Sequence, residues 1–168
     1  MNKNIKNIFI TVATIAVLFG GLIWLSRGGA ENNQANISQS GGGTLSAEEI
    51  SFDFGSISMA NGKVSHAFKI KNESSEPAVI SKVYTSCMCT EATLMHGDKK
   101  MGPFGMPGHG GTPKINDALN PGEEVSIEAV FDPAAHGPAG VGLADRIVFV
   151  EDGTGKQLQL RFTAIVTP

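Results

Sequence analysis

Apolar and polar residues alternate along most of the chain after residue 50, which is typical of β-strands that bury one face. The clearest example is the stretch 158–166, where Leu158, Leu160 and Phe162 alternate with polar residues such as Gln159. Five other stretches have the same period of two and are separated by turn-forming residues. The six stretches are 50–54, 64–71, 78–84, 125–131, 146–151 and 158–166.

These stretches are too short and too evenly spaced for a helical or α/β protein, and no convincing amphipathic helix lies among them. Short strands with one apolar face each predict two sheets packed face to face. Both cysteines lie in one short motif, so no disulfide is expected between the sheets. We therefore predict an all-β domain over residues 47–168, an antiparallel β-sandwich of six or seven strands.

A different pattern lies at the N-terminus, where residues 8–25 contain no charged side chain. A helix of that length reaches about 27 Å, close to the hydrocarbon thickness of a bilayer. Lys3 and Lys6 precede the apolar block, which favours a cytoplasmic location for residues 1–7. The pattern predicts one N-terminal transmembrane helix that serves as a single-pass anchor in the cell membrane.

The segment 26–46 is rich in Gly, Asn, Gln and Ser and predicts a flexible linker. The alternative to a retained anchor is a signal peptide cleaved near Ala30. Both alternatives export the domain, so we expect it on the extracytoplasmic side of the membrane. The lipid bilayer and another envelope protein are the expected partners.

Charge narrows the range of partners further. The formal net charge is −3, but all sixteen acidic residues follow residue 30, and only ten of the thirteen basic residues do. Nucleic-acid binding requires clustered Lys and Arg. An acidic domain of this kind excludes nucleic acid as the expected partner.

Several short motifs resemble a known family. They are FDFGSI at 52–57, VSHAFKIKN at 64–72, SCMCT at 86–90, PGE at 121–123 and FD at 131–132. They resemble a bacterial exported domain-of-unknown-function family with an immunoglobulin-like fold, related to major sperm protein and Hydin modules. The resemblance implies that fold, an exported location and a Ser-Cys-x-Cys-Thr motif, but no established activity. Met88 replaces the glycine of that motif, and the segment 95–111 resembles an insertion.

The stretch 85–113 contains both cysteines and four of the six methionines, and it is the candidate functional region. Its glycines and prolines predict one long loop over 85–119. If Cys87 and Cys89 continue an extended strand, both thiols point to one face.

Three interpretations of this motif remain open. The cysteines pack as small hydrophobic residues or form a local disulfide. Alternatively, they bind a soft metal ion, with Cu(I) fitting thiolates and thioethers better than Zn(II) does. Thiol–disulfide exchange is the third, although no helix N-terminus is present to activate a thiol. The predicted metal ligands are Cys87, Cys89, Met95, His96, Met101, Met106 and His109.

The remaining polar candidates carry weaker signals. His66 lies in strand register between apolar residues and is expected to be a rim histidine. His136 lies in a turn-rich connector that could approach the cysteines, and Asp145-Arg146 is expected to fix loop geometry. No catalytic triad, nucleotide-binding loop or paired-carboxylate motif stands out.

We therefore predict a non-enzymatic protein without a catalytic site. The expected function is a binding or structural role at the cell envelope, carried by a membrane-anchored β-sandwich. The alternative is a copper-binding or copper-handling protein that uses the Cys-Met-Cys motif and the Met/His-rich segment. Apart from that copper ion, no cofactor is expected.

Overall fold

The computed structural model describes residues 43–109 and 113–168. The predicted anchor at 8–25 and nearly all of the predicted linker lie outside these residues. Within the two described ranges, no helix has the length and apolar character required to cross a membrane.

The described residues form ten strands and two single-turn 3-10 helices, so the all-β prediction is confirmed. Six strands correspond to the six alternating stretches, but the predicted number of six or seven strands was too low. The strands are β1 (Leu45–Ala47), β2 (Ser51–Ser58), β3 (Val64–Asn72), β4 (Ala78–Thr85), β5 (Thr90–His96), β6 (Lys99–Phe104), β7 (Asp117–Leu119), β8 (Glu124–Phe131), β9 (Gly142–Asp152) and β10 (Gln157–Thr167).

Two five-stranded sheets make up the sandwich. One has the order β1-β3-β8-β5-β6, and the other has the order β2-β10-β9-β4-β7. All pairings within them are antiparallel except that of β2 with β10, which is parallel. The prediction of an entirely antiparallel sandwich was therefore wrong for β2. The alternating pattern of β2 predicts which of its faces is buried, but it does not predict the direction of the strand relative to its neighbour. The neighbour of β2 is β10, the last strand of the chain, and the two run parallel.

The core lies between the two sheets and contains the inward residues of each alternating stretch. In β10, Leu158, Leu160, Phe162, Ala164 and Val166 are all buried, as their alternation predicts. Across the sandwich, Phe162 of β10 lies 5.5 Å from Phe131 of β8, measured between ring centroids. Aromatic contacts at this distance add to the hydrophobic stabilisation of the core.

The prediction of one long loop over 85–119 was also wrong, because β5, β6 and β7 lie within it. Strand β5 is interior to its sheet, with β8 on one side and β6 on the other. Its residues Ala92 and Leu94 are buried, and their alternation with Glu91 and Thr93 was a strand signal. The Gly, Pro and Met residues that follow indicated a loop, and the strand was therefore assigned to that loop.

Candidate functional site

The Cys-Met-Cys motif forms the turn that carries the chain from one sheet to the other, between β4 and β5. The cysteines do not continue an extended strand, so the condition under which both thiols would point to one face is not met. The amide of Thr90 donates to the carbonyl of Cys87 at 3.1 Å, which closes the turn. The hydroxyl of Thr85 lies 3.0 Å from the carbonyl oxygens of both Cys87 and Thr90 and donates to them.

Ser86 attaches the start of this turn to β9. Its amide donates to the carbonyl of Ile147 at 2.9 Å, and its hydroxyl accepts from the amide of Ile147 at 2.9 Å. At the other end of the turn, the carbonyl of Cys89 accepts from the amide of Asp132 at 2.9 Å. The turn is therefore held from both sheets, and its side chains have defined neighbours.

Cys87 and Cys89 are joined by a disulfide in the structure. The two sulfurs have different surroundings, although their residues are only two positions apart. Cys89 is 3% exposed and belongs to the hydrophobic core cluster, whereas Cys87 is half-buried. Met88 between them is 54% exposed. One face of the motif is thus open to the surface and the other is packed into the core.

His136 provides the imidazole nearest to the motif, with its Nε2 atom 3.3 Å from the Cys87 sulfur. It lies after β8 in a turn that Asp132 organises, since the Asp132 carboxylate accepts from the amide of Ala134 at 2.9 Å. The two sulfurs and one ring nitrogen of His136 all lie within 4.8 Å of one another. Two sulfurs and an imidazole nitrogen form a ligand set suited to soft metal ions.

Arg146 contacts the other sulfur. Its Nε atom donates to the Cys89 sulfur at 3.1 Å, and one terminal nitrogen donates to the carbonyl of Asp145 at 2.8 Å. The Asp145 carboxylate binds Arg161 instead, with a distance of 2.7 Å from Arg161 Nε to Oδ1. This neighbour holds the pKa of Asp145 below its usual value through a hydrogen bond and its positive charge. Asp145 and Arg146 lie within β9 rather than in a loop, and Arg146 places a permanent positive charge beside a cysteine.

The structure places His96, a predicted metal ligand, away from the cysteines. His96 ends β5, seven residues after Cys89, and a strand of that length spans about 20 Å. Both of its ring nitrogens are engaged, Nδ1 with Asp117 at 2.7 Å and Nε2 with Glu123 at 2.9 Å. The hydrogen bond with Glu123 and the charges of both carboxylates raise the pKa of His96.

The predicted methionine and loop ligands are distributed over two strands and a connector. Met95 pairs with Ser126 on β8, and Met101 on β6 packs partly buried against the core. Met106 follows Gly105, whose carbonyl accepts from the amide of Thr85, so its backbone lies beside the motif. His109 is exposed on the connector after β6. Of the four predicted cysteine and histidine ligands, Cys87 and Cys89 belong to the three-atom cluster, and His96 and His109 do not.

His66 occupies the rim position that its register predicts. Its Nε2 atom lies 2.9 Å from a carboxylate oxygen of Glu49, and its ring stacks on Phe52 at 3.7 Å between centroids. The residues that the sequence did not assign to the site, His136 and Arg146, follow Cys87 and Cys89 by 49 and 57 positions respectively. Only the pairing of β9 with β4 and the turn after β8 bring them to the motif.

Residues 45–102, about a third of the chain, match the model of a family described as protein of unknown function (DUF1573). Among curated proteins, no relative matches the chain. The matched segment includes residues 86–90, and a Ser-Cys-x-Cys-Thr family motif at these positions stays a prediction.

Three solved structures match parts of the chain. A protein of unknown function from Porphyromonas gingivalis W83 matches with a TM-score of 0.53 at 14% identity, over 73% of this chain and 46% of that one. The Vibrio cholerae VesB protease matches with a TM-score of 0.45 at 16% identity, over 74% and 32%. PapD-like domain 7 of human CEP192 matches with a TM-score of 0.43 at 11% identity, over 74% and 85%.

The chain spans less than half the length of the first two of these structures. At such identities the similarity concerns the fold alone. The partial match to a family of unknown function agrees with the resemblance noted from the sequence, and the two five-stranded sheets confirm the expected all-β sandwich.

Proposed function

We propose that this protein is an exported, non-enzymatic binding module whose ligand is a soft metal ion, Cu(I). The ion is held by the sulfurs of Cys87 and Cys89 and by the ring nitrogen of His136. The observation that carries the proposal is the convergence of these three atoms within 4.8 Å, where the turn between β4 and β5 meets the connector after β8. Cu(I) accepts two thiolates and one imidazole in a low-coordinate site, and it prefers sulfur more strongly than Zn(II) does.

Binding in this site requires the two cysteines as thiols, since only a thiolate is a strong metal ligand. In an oxidising compartment the disulfide is the resting form of the pair. The site therefore accepts Cu(I) after reduction, and binding releases the thiol protons. The methionines, including the exposed Met88 and the nearby Met106, are not required as ligands in this proposal.

Titration of the full-length chain in detergent tests the proposal. The protein is reduced with a phosphine, kept anaerobic and titrated with Cu(I) against a chromophoric chelator. We expect one Cu(I) per chain, and we expect Cys87→Ser/Cys89→Ser to abolish it. His136→Ala should weaken binding by at least about tenfold, because even the loss of an outer partner of a metal ligand costs that much.

His109→Ala is the matched control, because His109 is an exposed histidine outside the three-atom cluster. The Cu(I) affinity of the His109→Ala variant should equal that of the wild type. Equal affinity of the wild type and the double serine variant would refute the metal site. In that case the disulfide would serve only to fasten the turn between β4 and β5.

A further inference from the structure

The two sulfurs of the Cys87–Cys89 disulfide have unequal environments, and this inequality suggests a reaction. Cys87 is half-buried at the edge of the core, beside the exposed residues Met88 and His136, whereas Cys89 is buried against Arg146. We propose that the pair undergoes directional thiol–disulfide exchange with small thiols, in which Cys87 is attacked and Cys89 departs as a thiolate.

Access favours Cys87 as the sulfur that is attacked. An incoming thiolate must reach the sulfur, and Cys89 is only 3% exposed. Besides Arg146, the Cys89 sulfur also has the hydroxyl of Thr90 at 3.8 Å. Cys87 lies on the open side of the turn, where its sulfur has the imidazole of His136 as a neighbour. A small thiol therefore reaches Cys87 first.

Charge favours Cys89 as the leaving group. Exchange is faster when the departing thiol is more acidic, and a nearby guanidinium stabilises the thiolate. Arg146 Nε already donates to the Cys89 sulfur at 3.1 Å in the disulfide form, so little rearrangement is needed. The Asp145 carboxylate is hydrogen-bonded by Arg161, so it does not compete for the Nε–H of Arg146 that points at the sulfur.

The reaction balances with two equivalents of thiol. In the first step a thiolate, RS⁻, bonds to the Cys87 sulfur, the disulfide breaks, and its electron pair goes to Cys89. In the second step another RS⁻ attacks the mixed disulfide at the sulfur that carries R. This releases RSSR and the Cys87 thiolate. Protons from water complete the thiols. The protein disulfide is reduced to a dithiol and two RSH are oxidised to RSSR, with the small thiol as the reductant.

This exchange also controls the proposed Cu(I) site, and in that respect alone it rests on the proposed function. The disulfide form lacks thiolate ligands, and the dithiol form supplies two. The protein would therefore bind Cu(I) only when small thiols have opened the site.

Mass spectrometry on the full-length wild-type chain tests the direction of attack. The metal-free disulfide form, in detergent with a chelator, is mixed with reduced glutathione and quenched in acid at short times. We expect glutathione on Cys87 in at least about tenfold excess over Cys89, because access and leaving-group acidity both favour that attack. Equal or preferential modification of Cys89, or no reduction at all, would overturn the proposal.

Substitution of Arg146 tests the leaving group. Arg146→Gln should slow the reduction by glutathione about three- to tenfold, because the Cys89 thiolate loses its charged neighbour. Arg146→Lys should recover part of the rate. Lys82→Gln is the control, because it removes the same charge from β4 without contacting a sulfur.

Recovery of the rate in Arg146→Lys, with urea unfolding midpoints of both Arg146 variants equal to that of the wild type, separates an effect of charge from a structural one. No recovery in Arg146→Lys, or an equal loss of rate in Lys82→Gln, contradicts the role of Arg146. Cu(I) binding is measured separately on phosphine-reduced protein, so failure of exchange and failure of metal binding are distinguishable.

Discussion

The imidazole of His96 bridges two carboxylates where β5 ends, with Asp117 on one ring nitrogen and Glu123 on the other. The pKa of His96 is raised, chiefly by its hydrogen bond with Glu123. The pKa of Glu123 is lowered, first by His96 and then by the amide of Asn120. The three side chains are mostly buried or half-buried, with 19%, 9% and 32% exposed for His96, Asp117 and Glu123. The group joins β5, β7 and the turn before β8.

These two pKa shifts predict how the stability of the domain depends on pH. His96 contributes fully below its ordinary value of 6.5, and the contribution is lost as the pH rises through the higher folded value. Glu123 contributes above its ordinary value of 4.5, and that contribution is lost as the pH falls through the lower folded value. We therefore expect the contribution of the group to be greatest between these ordinary values and to decline toward alkaline pH.

Urea unfolding of the disulfide form at several pH values measures this effect. His96→Gln should reduce the free energy of unfolding most at mildly acidic pH and flatten its decline above pH 6.5. His109→Gln, at an exposed histidine, is the control and should follow the wild-type curve. A His96→Gln curve parallel to that of the wild type would contradict the assignment.

At the scale of elements, the contact of β6 with β5 depends on Gly102. Its φ angle is 124°, a region that side chains rarely adopt. A Cβ atom at this position would lie 2.8 Å from the backbone carbonyl oxygen of Ala92 on β5. Because the clashing atom belongs to the backbone of β5, a change of side-chain conformation cannot relieve the clash.

Gly102→Ala should therefore destabilise the domain by about 1–3 kcal/mol, from backbone strain and overpacking. Gly105→Ala is the matched control, because the space around its Cβ position is open and its φ angle is not positive. Urea unfolding midpoints of the two variants provide the comparison. Equal midpoints would show that β6 shifts away from β5 at little cost.

At the scale of the whole molecule, the proposed function requires the sandwich to be held outside the cytoplasm. The predicted anchor at 8–25 and the alternative, cleavage near Ala30, differ in the mass of the mature protein. We expect the intact mass of the full chain, recovered in the membrane fraction of producing cells, because eighteen uncharged residues are sufficient to span a bilayer. A mature mass lacking about thirty residues, with the protein in the soluble fraction, would establish a cleaved signal peptide.

The sandwich also determines which residues meet at the site. The turn between β4 and β5 crosses from one sheet to the other, and Arg146 and His136 approach it from β9 and from the end of β8. A short local motif thereby gains a cation from one sheet and an imidazole from a connector of the other. His136 lies outside the alternating stretches, and the alternation of 146–151 does not indicate which residue Arg146 contacts.

The sequence by itself determined the layered all-β architecture, because a period of two specifies which face of each strand is buried. It also singled out Cys87 and Cys89 as the candidate chemical centre, since no other cysteines are present. The three-residue strands β1 and β7 are too short to show a period, and the glycines and prolines of 97–113 concealed the neighbouring strands.

Only the tertiary structure decided the parallel pairing of β2, the separation of His96 from the cysteines, and the approach of His136 and Arg146. The physical reason is that alternation encodes burial within one strand. Contacts between residues 49 and 57 positions apart depend on strand order and register, which the packing of the whole sandwich determines.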